Sequence, residues 1–245
     1  ITEAAGSISD GDDLSARLDL RRGPREMRRL ARTFDGMFAR LETSFLSKKQ
    51  FTADASHELR TPVAVILAEC DRARRKAETK EDFLASINVI EQQGNKMNTL
   101  IEQLLSLTRI QQGTEKYPLR VCDLSGFVDA CCDEFVPADE RGMTLETDIE
   151  PGVAAAYNPS LLSRAMFNLM QNAYKYGREG GNIRVSLCWE NGCAVISVKD
   201  DGPGIPKAEQ EKIWQRFYRC DTSRAEGGTG LGLSLVREIA LVHHA

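Results

Sequence analysis

The sequence has little that would build a metal cage, a disulfide framework, a membrane span or a nucleic-acid surface. It carries three histidines, and its seven cysteines (Cys70, Cys122, Cys131, Cys132, Cys188, Cys193 and Cys220) form no C-x-x-C pair and have no histidine nearby. A zinc site is therefore not expected, nor is an even set of bridges. The thiols read as reduced and mostly buried. Basic excess is also missing: 32 Lys and Arg stand against 36 Asp and Glu. This removes the broad positive footprint that binding a phosphate backbone requires, so no nucleic-acid partner is expected. No apolar run approaches the roughly 18 residues that span a bilayer, and no signal-peptide pattern is visible. Internal repeats and low-complexity segments are absent as well.

What remains is enough apolar content, 42% of 245 residues, for two domains. The chain opens on "ITEAAGSISDGDDLSARL" without an initiator methionine, and a piece of something longer is expected. From Pro24, a first-turn residue, Phe34, Phe38, Leu41, Phe45, Thr52, Ala55, Leu59, Ile66 and Ala73 recur at heptad-like steps. A break follows in "RRKAETKEDF", where Thr79 and Asp82 resemble a capping box. A second helix then carries Phe83, Ile87, Ile90, Gly94, Met97, Ile101, Leu104 and Thr108. Two such helices predict an antiparallel hairpin with an exposed apolar seam, most economically closed by a second copy as a dimeric four-helix bundle.

After "QQGTEKYP" the pattern changes to short strand-like runs ("LRVCDL", "MTLETDI", "NIRVSLCW", "CAVISVKD") alternating with helical ones ("SGFVDACCDEFVPADE", "NPSLLSRAMFNLMQNAYKY" and the stretch from Gly230). Asn191-Gly192 between two strand runs predicts a hairpin. This half reads as an α/β sandwich with helices on one sheet.

Two groups of residues carry chemistry. In "ASHELRTP", His57 lies about 200° around the helix from both Ala55 and Leu59 and so faces water. Asp54 and Thr61 share its face, Glu58 adjoins it, and Pro62 removes a donor that would bond to the Glu58 carbonyl, loosening the helix. A neutral imidazole is a nucleophile, and an adjoining carboxylate can take the proton from its other nitrogen. Taken alone, an exposed histidine on a charged helix is ordinary surface.

The second group lies in the α/β half. Asn168, Asn172 and Lys175 share one helix face; an amide oxygen suits Mg²⁺, and lysine is a point charge for phosphate. In "DDGPGIP", Gly202 and Gly204 permit a sharp turn and close approach to a ligand. In "IWQRFYRCDTSRAEGGTGLGLSLV", Gly227, Gly228, Gly230 and Gly232 feed a helix N-terminus, which offers amide donors to phosphate. This is neither a P-loop nor a Rossmann turn.

These boxes, in this order, resemble those of bacterial sensor histidine kinases, with an ATP-binding domain of the Bergerat (GHKL) type, over about 200 residues. The resemblance implies that His57 is phosphorylated, that Glu58 is the general base, and that Thr61 positions water for dephosphorylating the partner. It gives Asn172 the Mg²⁺, Lys175 a phosphate, Tyr176 the base or ribose, and Asn168 a supporting role. Asp200 reads the adenine amino group beside Gly202 and Gly204, with Asp201 in the variable place. "RFYR" resembles the phenylalanine box, so Tyr218 approaches the base and Arg219 the phosphates. Gly228, Thr229, Gly230, Leu231 and Gly232 form the second glycine box, residues 218–229 a lid, and Trp214 stands where phenylalanine is common.

Residues 1–45 more weakly resemble a HAMP linker, which relays motion from a membrane helix. The implied organisation is a partial HAMP linker at 1–45, a dimerisation and phosphotransfer hairpin at 46–112, a linker at 113–119, and an ATP-binding domain at 120–245. Implied cofactors are ATP and Mg²⁺. Implied partners are a second copy and the receiver domain of a response regulator, with the membrane reached only through upstream segments; the chain would be the cytoplasmic part of an inner-membrane receptor. The family's nucleotide domain continues past the last helix with further strands, so a sheet ending at "ALVHHA" is expected to lack an edge hairpin. His243 and His244 there read as incidental surface residues. The rival readings are another ATPase of the same nucleotide fold, of the gyrase, chaperone or mismatch-repair type, and a non-catalytic dimeric interaction module.

Overall fold

The computed structural model describes residues 24–111, 113, 117–135, 141–220 and 228–245. These residues fall into two compact units divided between Ala64 and Val65, inside the first helix. That helix, α1 (Arg25–Lys76), starts directly after Pro24 and ends on Arg74, Arg75 and Lys76, cations that complement the negative end of its dipole. It continues through Pro62, which is buried. The proline therefore removes one backbone donor without ending the helix. In the first unit the apolar stripe faces outward: Leu30, Phe34, Met37, Leu41 and Phe45 are all exposed.

The second unit opens with the last turns of α1 and continues into α2 (Lys80–Gln111). Between them Thr79 caps α2 as its spacing with Asp82 predicts. Asp82 N donates to Thr79 Oγ1 at 3.2 Å, and Thr79 N donates to Asp82 Oδ2 at 3.1 Å. The aspartate does the work glutamate does in the usual box, and its carboxyl is held below the ordinary range, first by the Thr79 hydroxyl and then by backbone N–H donors. Arg72 crosses from α1 to the buried Ser86 of α2, with Nη2 donating to Oγ at 2.9 Å.

The α/β part runs β1 (Arg120–Asp123), α3 (Leu124–Glu134), β2 (Thr144–Ile149), β3 (Ala154–Tyr157), α4 (Pro159–Tyr176), β4 (Asn182–Glu190), β5 (Cys193–Lys199), a short 3₁₀ turn at Lys212–Trp214, and α5 (Gly232–Val242). Among the described residues, in place of one sheet there are a three-stranded sheet of order β2-β4-β5 and a separate β1-β3 ribbon. β2 pairs parallel to β4, and β4 pairs antiparallel to β5 and β1 to β3. The expected hairpin forms: Asn191 (φ 51°) and Gly192 (φ 82°) are both left-handed, between Glu190 and its partner Cys193. Of the expected helical run at 125–140, α3 covers the part to Glu134 and is capped at Phe135; residues 136–140 lie outside the described residues.

The core forms where strand and helix periodicities meet. Ile183, Val185 and Leu187 alternate inward from β4; Met166 and Met170 of α4 pack with Val185 and Leu187, and Ala173 with Ile183. From α3, Val128, Cys131 and Cys132 close the same cluster. Burial raises both thiols, Cys132 to about 11. A thiolate reagent at neutral pH is therefore expected to modify exposed Cys70, Cys188 and Cys193 in the native chain and to leave Cys131 and Cys132 untouched until denaturant is added; mass spectrometry of the labelled peptides reads this directly.

His243 is not incidental. Its Nε2 accepts from the backbone N–H of Asn158 at 3.0 Å, and its Nδ1 donates to Ile239 O at 2.7 Å, so a neutral Nδ1–H ring ties the end of α5 to the start of α4. Asn158 is itself the α4 cap, with Oδ1 accepting from Leu161 N at 3.1 Å and Nδ2 donating to Pro118 O at 3.3 Å. His244 is exposed, as expected.

Candidate functional site

His57 lies in the first unit on the solvent face of α1, exposed together with Glu58 and Thr61. Thr61 Oγ1 donates back to His57 O at 3.3 Å, and about two turns earlier Gln50 Nε2 donates to Asp54 Oδ1 at 2.7 Å. No hydrogen bond joins the His57 ring to Glu58 among the described residues. The ring is thus open to water on a helix whose backbone is fixed around it.

The residues of the second group all fall in the second unit, where the fold brings Asn168, Lys175, Tyr176, Gly202, Gly228 and Gly232 together around the C-terminal half of α4. Asn168 spends its amide N–H₂ on Arg164 O, one turn back, at 2.7 Å. Its Oδ1 faces the start of α5, where a Cβ added to Gly232 would come within 2.8 Å of it. Asn172 follows on the same stripe, half-buried. Lys175 Nζ donates to the Tyr176 hydroxyl at 2.9 Å and lies 4.6 Å from that ring's centroid. The ammonium also abuts the glycine turn, since a Cβ at Gly228 would meet Nζ at 2.9 Å.

Two glycines are required by close backbone approach. At Gly202 a Cβ would lie 2.3 Å from Tyr176 O, so only glycine lets the turn after β5 pass against the end of α4. Gly230 (φ 67°) stacks on the backbone of Phe217, itself left-handed at φ 60°, and the Phe217 N–H donates to Gly230 O at 2.9 Å. This joins the "RFYR" and "GTGLG" stretches. Asp200 Oδ1 accepts from Gly202 N at 2.9 Å, which shapes the turn. Tyr218 and Arg219, which follow Phe217 in sequence, are half-buried, and 221–227, most of the expected lid, lie outside the described residues.

Among the described residues no side chain caps the first amides of α5. Its first N–H groups thus lie near the Asn168 amide oxygen, with the Lys175 ammonium against the glycine turn that leads into the helix, a set of groups suited to phosphate oxygens. Among the described residues no group of three or more His, Cys, Asp or Glu is gathered to hold a metal by itself.

The other face of this site meets α2. Thr229 Oγ1 donates to Gln103 Oε1 at 2.6 Å and accepts from Leu231 N at 3.3 Å. Arg164 of α4 donates to the hydroxyl of buried Ser106, and Gln111 Nε2 donates to Glu238 Oε1 at 3.1 Å. Leu107 and Ile110 are buried along the same stretch of α2.

Sequence reasoning missed Asp201. One carboxylate oxygen accepts from Arg178 N and the other from Asn182 N, both at 3.2 Å, so it brackets the turn that follows α4. Gly181 is the complement, because a Cβ there would fall 2.4 Å from both oxygens. The Arg178 N–H, opposed by a smaller desolvation and helped in turn by the Asn182 N–H, holds the carboxyl below its usual range. A depressed folded-state value adds stability above the unfolded carboxyl range, near 4, that is lost as pH falls through the folded value. Wild type is expected to melt above Asp201→Asn at pH 7, and the gap to close on titrating to pH 3, as followed by thermal denaturation.

Comparison with known proteins fits this geometry. Residues 1–43 match the HAMP domain family, 47–113 the His Kinase A (phospho-acceptor) domain, and 157–245 the "Histidine kinase-, DNA gyrase B-, and HSP90-like ATPase" family. The third alone would not separate a kinase from a gyrase-type ATPase; the first two do. The chain is 37% identical to the sensor histidine kinase RppB of Synechocystis sp., over 82% of this chain and 45% of that protein. It is 34% identical to the sensor protein CutS of Streptomyces coelicolor, over 99% of this chain and 59% of that protein. The chain thus spans about half the length of the curated relatives it matches. In fold it is similar to the crystal structure of histidine kinase ThkA in complex with response regulator protein TrrA, with a TM-score of 0.66 at 23% identity, covering 84% of this chain and 57% of that one. With a HAMP segment, a phospho-acceptor hairpin and a kinase-type ATPase domain in that order, the chain belongs to the sensor histidine kinases of two-component systems.

Proposed function

We propose that the chain binds ATP in the second unit, transfers its γ-phosphoryl group to His57, and passes that group to an aspartate of a response-regulator receiver domain. The observation that carries this reading is the uncapped start of α5 beside Lys175, which abuts the glycine turn at Gly228. Phosphates there meet backbone donors, a positive helix end and an ammonium, the elements that stabilise charge in phosphoryl transfer. An unprotonated His57 nitrogen attacks the γ-phosphorus while the bond to the bridging oxygen breaks and ADP leaves. Glu58 takes the proton from the other ring nitrogen. Mg²⁺, when bound, neutralises charge on the phosphates, with Asn172 as its protein ligand.

In the same reading Asp200 with the turn at Gly202 and Gly204 contacts the adenine, Tyr176 and Tyr218 flank the base and ribose, and Arg219 and Thr229 reach the phosphates. Thr61 supports the reverse, phosphatase step. The domain limits are 1–45, 46–112, 113–119 and 120–245. A second copy closes the apolar faces of α1 and α2, since Leu41, Phe45, Phe83, Ile87 and Ile101 are all at least 42% exposed. Membrane anchorage comes from segments preceding the HAMP linker; among the described residues no helix is long and apolar enough to cross a membrane.

The test is incubation with γ-labelled ATP and Mg²⁺. Label on the protein that is labile to acid and stable to alkali is the expected result. ATP hydrolysis with no labelled protein would favour the rival ATPase class.

A further inference from the structure

A helix leaves its last carbonyls without amide partners, and a left-handed glycine just past the end commonly satisfies some of them. α4 ends differently. Gly177, at its C-cap, is extended (φ −64°, ψ 167°), and its N–H returns to Ala173 O at 2.8 Å. The carbonyls of Tyr174, Lys175 and Gly177 turn instead to one guanidinium. Arg141 Nη1 donates to Tyr174 O and, at 2.7 Å, to Lys175 O, and Nη2 donates to Gly177 O at 2.9 Å. The guanidinium carbon lies 5.5 Å from the Tyr174 ring centroid, and the Arg141 carbonyl accepts from Gly180 N at 2.8 Å. Arg141 therefore holds both sides of the turn that ends α4.

We propose that Arg141 is a positioning residue for the nucleotide, acting through Lys175 and Tyr176, an inference that rests on the nucleotide-binding reading above. Those two residues form the last two positions of α4. Without the clamp, three carbonyls at the negative end of the helix dipole lose their donor and the last turn frays. The Lys175 ammonium then loses its fixed place against Gly228, and the Tyr176 carbonyl its close approach to Gly202. A planar fork is needed to reach three carbonyls at once; a lysine supplies the charge but not the fork.

The experiment compares wild type, Arg141→Met, Arg141→Lys and Asn172→Asp in the whole chain, by calorimetric binding of ADP with Mg²⁺ and by initial labelling rates against ATP concentration. Arg141→Met is expected to weaken ADP binding and raise KM for ATP roughly ten-fold, with kcat within about two-fold; Arg141→Lys should fall between. A purely structural Arg141 would lower the active fraction, so that kcat per total protein drops at an unchanged KM, and that result overturns the proposal. If Arg141→Met does not fold, Arg141→Lys decides: a KM raised several-fold supports positioning, and a wild-type KM refutes it. Should Asn172→Asp bind ADP as wild type does, the nucleotide-site reading itself fails. Loss of binding in Asn172→Asp beside unchanged Arg141 variants removes the positioning role alone.

Discussion

Replacing His57 with Gln is expected to abolish acid-labile labelling completely while leaving ADP affinity within about two-fold and stability within roughly 0.5 kcal/mol of wild type. The ring is exposed on α1, so the substitution removes no core contact. Glutamine has the size and polarity for the surface but no basic nitrogen to accept a phosphoryl group. The Thr61 bond to the His57 carbonyl is a backbone contact that the variant keeps. Labelling measured beside ADP calorimetry separates a lost acceptor from a lost nucleotide site. Label retained at wild-type level in His57→Gln would move the acceptor elsewhere.

The second large effect is expected at Gly230. Alanine there must adopt φ 67°, which disfavours any L side chain by about 1–2 kcal/mol. Its Cβ would also lie 2.7 to 3.0 Å from the Phe217 backbone. That backbone has little room to retreat, because the Phe217 N–H is bonded to Gly230 O. Collision adds about 1–3 kcal/mol, so Gly230→Ala should destabilise the second unit by about 2–5 kcal/mol and remove ADP binding. Gly192→Ala is the control: it shares the positive φ, at 82°, but nothing lies within 4 Å of an added Cβ. It should show the conformational strain alone, about 1–2 kcal/mol, with nucleotide binding intact. Chemical denaturation and calorimetry of the two variants measure the difference, and equal losses in both would show that the Phe217 contact is immaterial.

The features legible in the sequence are those whose partners are close along the chain. The Thr79 and Asp82 box, the Asn191-Gly192 hairpin and the Asn158 cap each join residues a few positions apart, so spacing and residue type suffice. The helix and strand periodicities of α4 and β4 were readable for the same reason. β3 was not: Ala154–Tyr157 is three alanines and a tyrosine, without alternation, and it pairs with β1, more than thirty residues earlier. The single expected sheet failed with it, since the β1-β3 ribbon takes two strands out of the layer.

The roles of Asp201, Arg141 and His243 are not legible in the sequence, for one physical reason. Each binds backbone groups of a segment 19 to 85 residues away, and backbone partners leave no trace in residue identity. His57 and the glycine boxes stand at the opposite extreme. Their chemistry depends on the residue type itself, so their letters could be read before their places were known.

The Thr229 hydroxyl owns a single proton, and in this structure that proton is committed to Gln103. An oxygen of a bound triphosphate that needed it would have to evict the glutamine first. Loading the pocket and loosening its grip on α2 would then be two descriptions of one exchange, and the tightness of the first would report on the second.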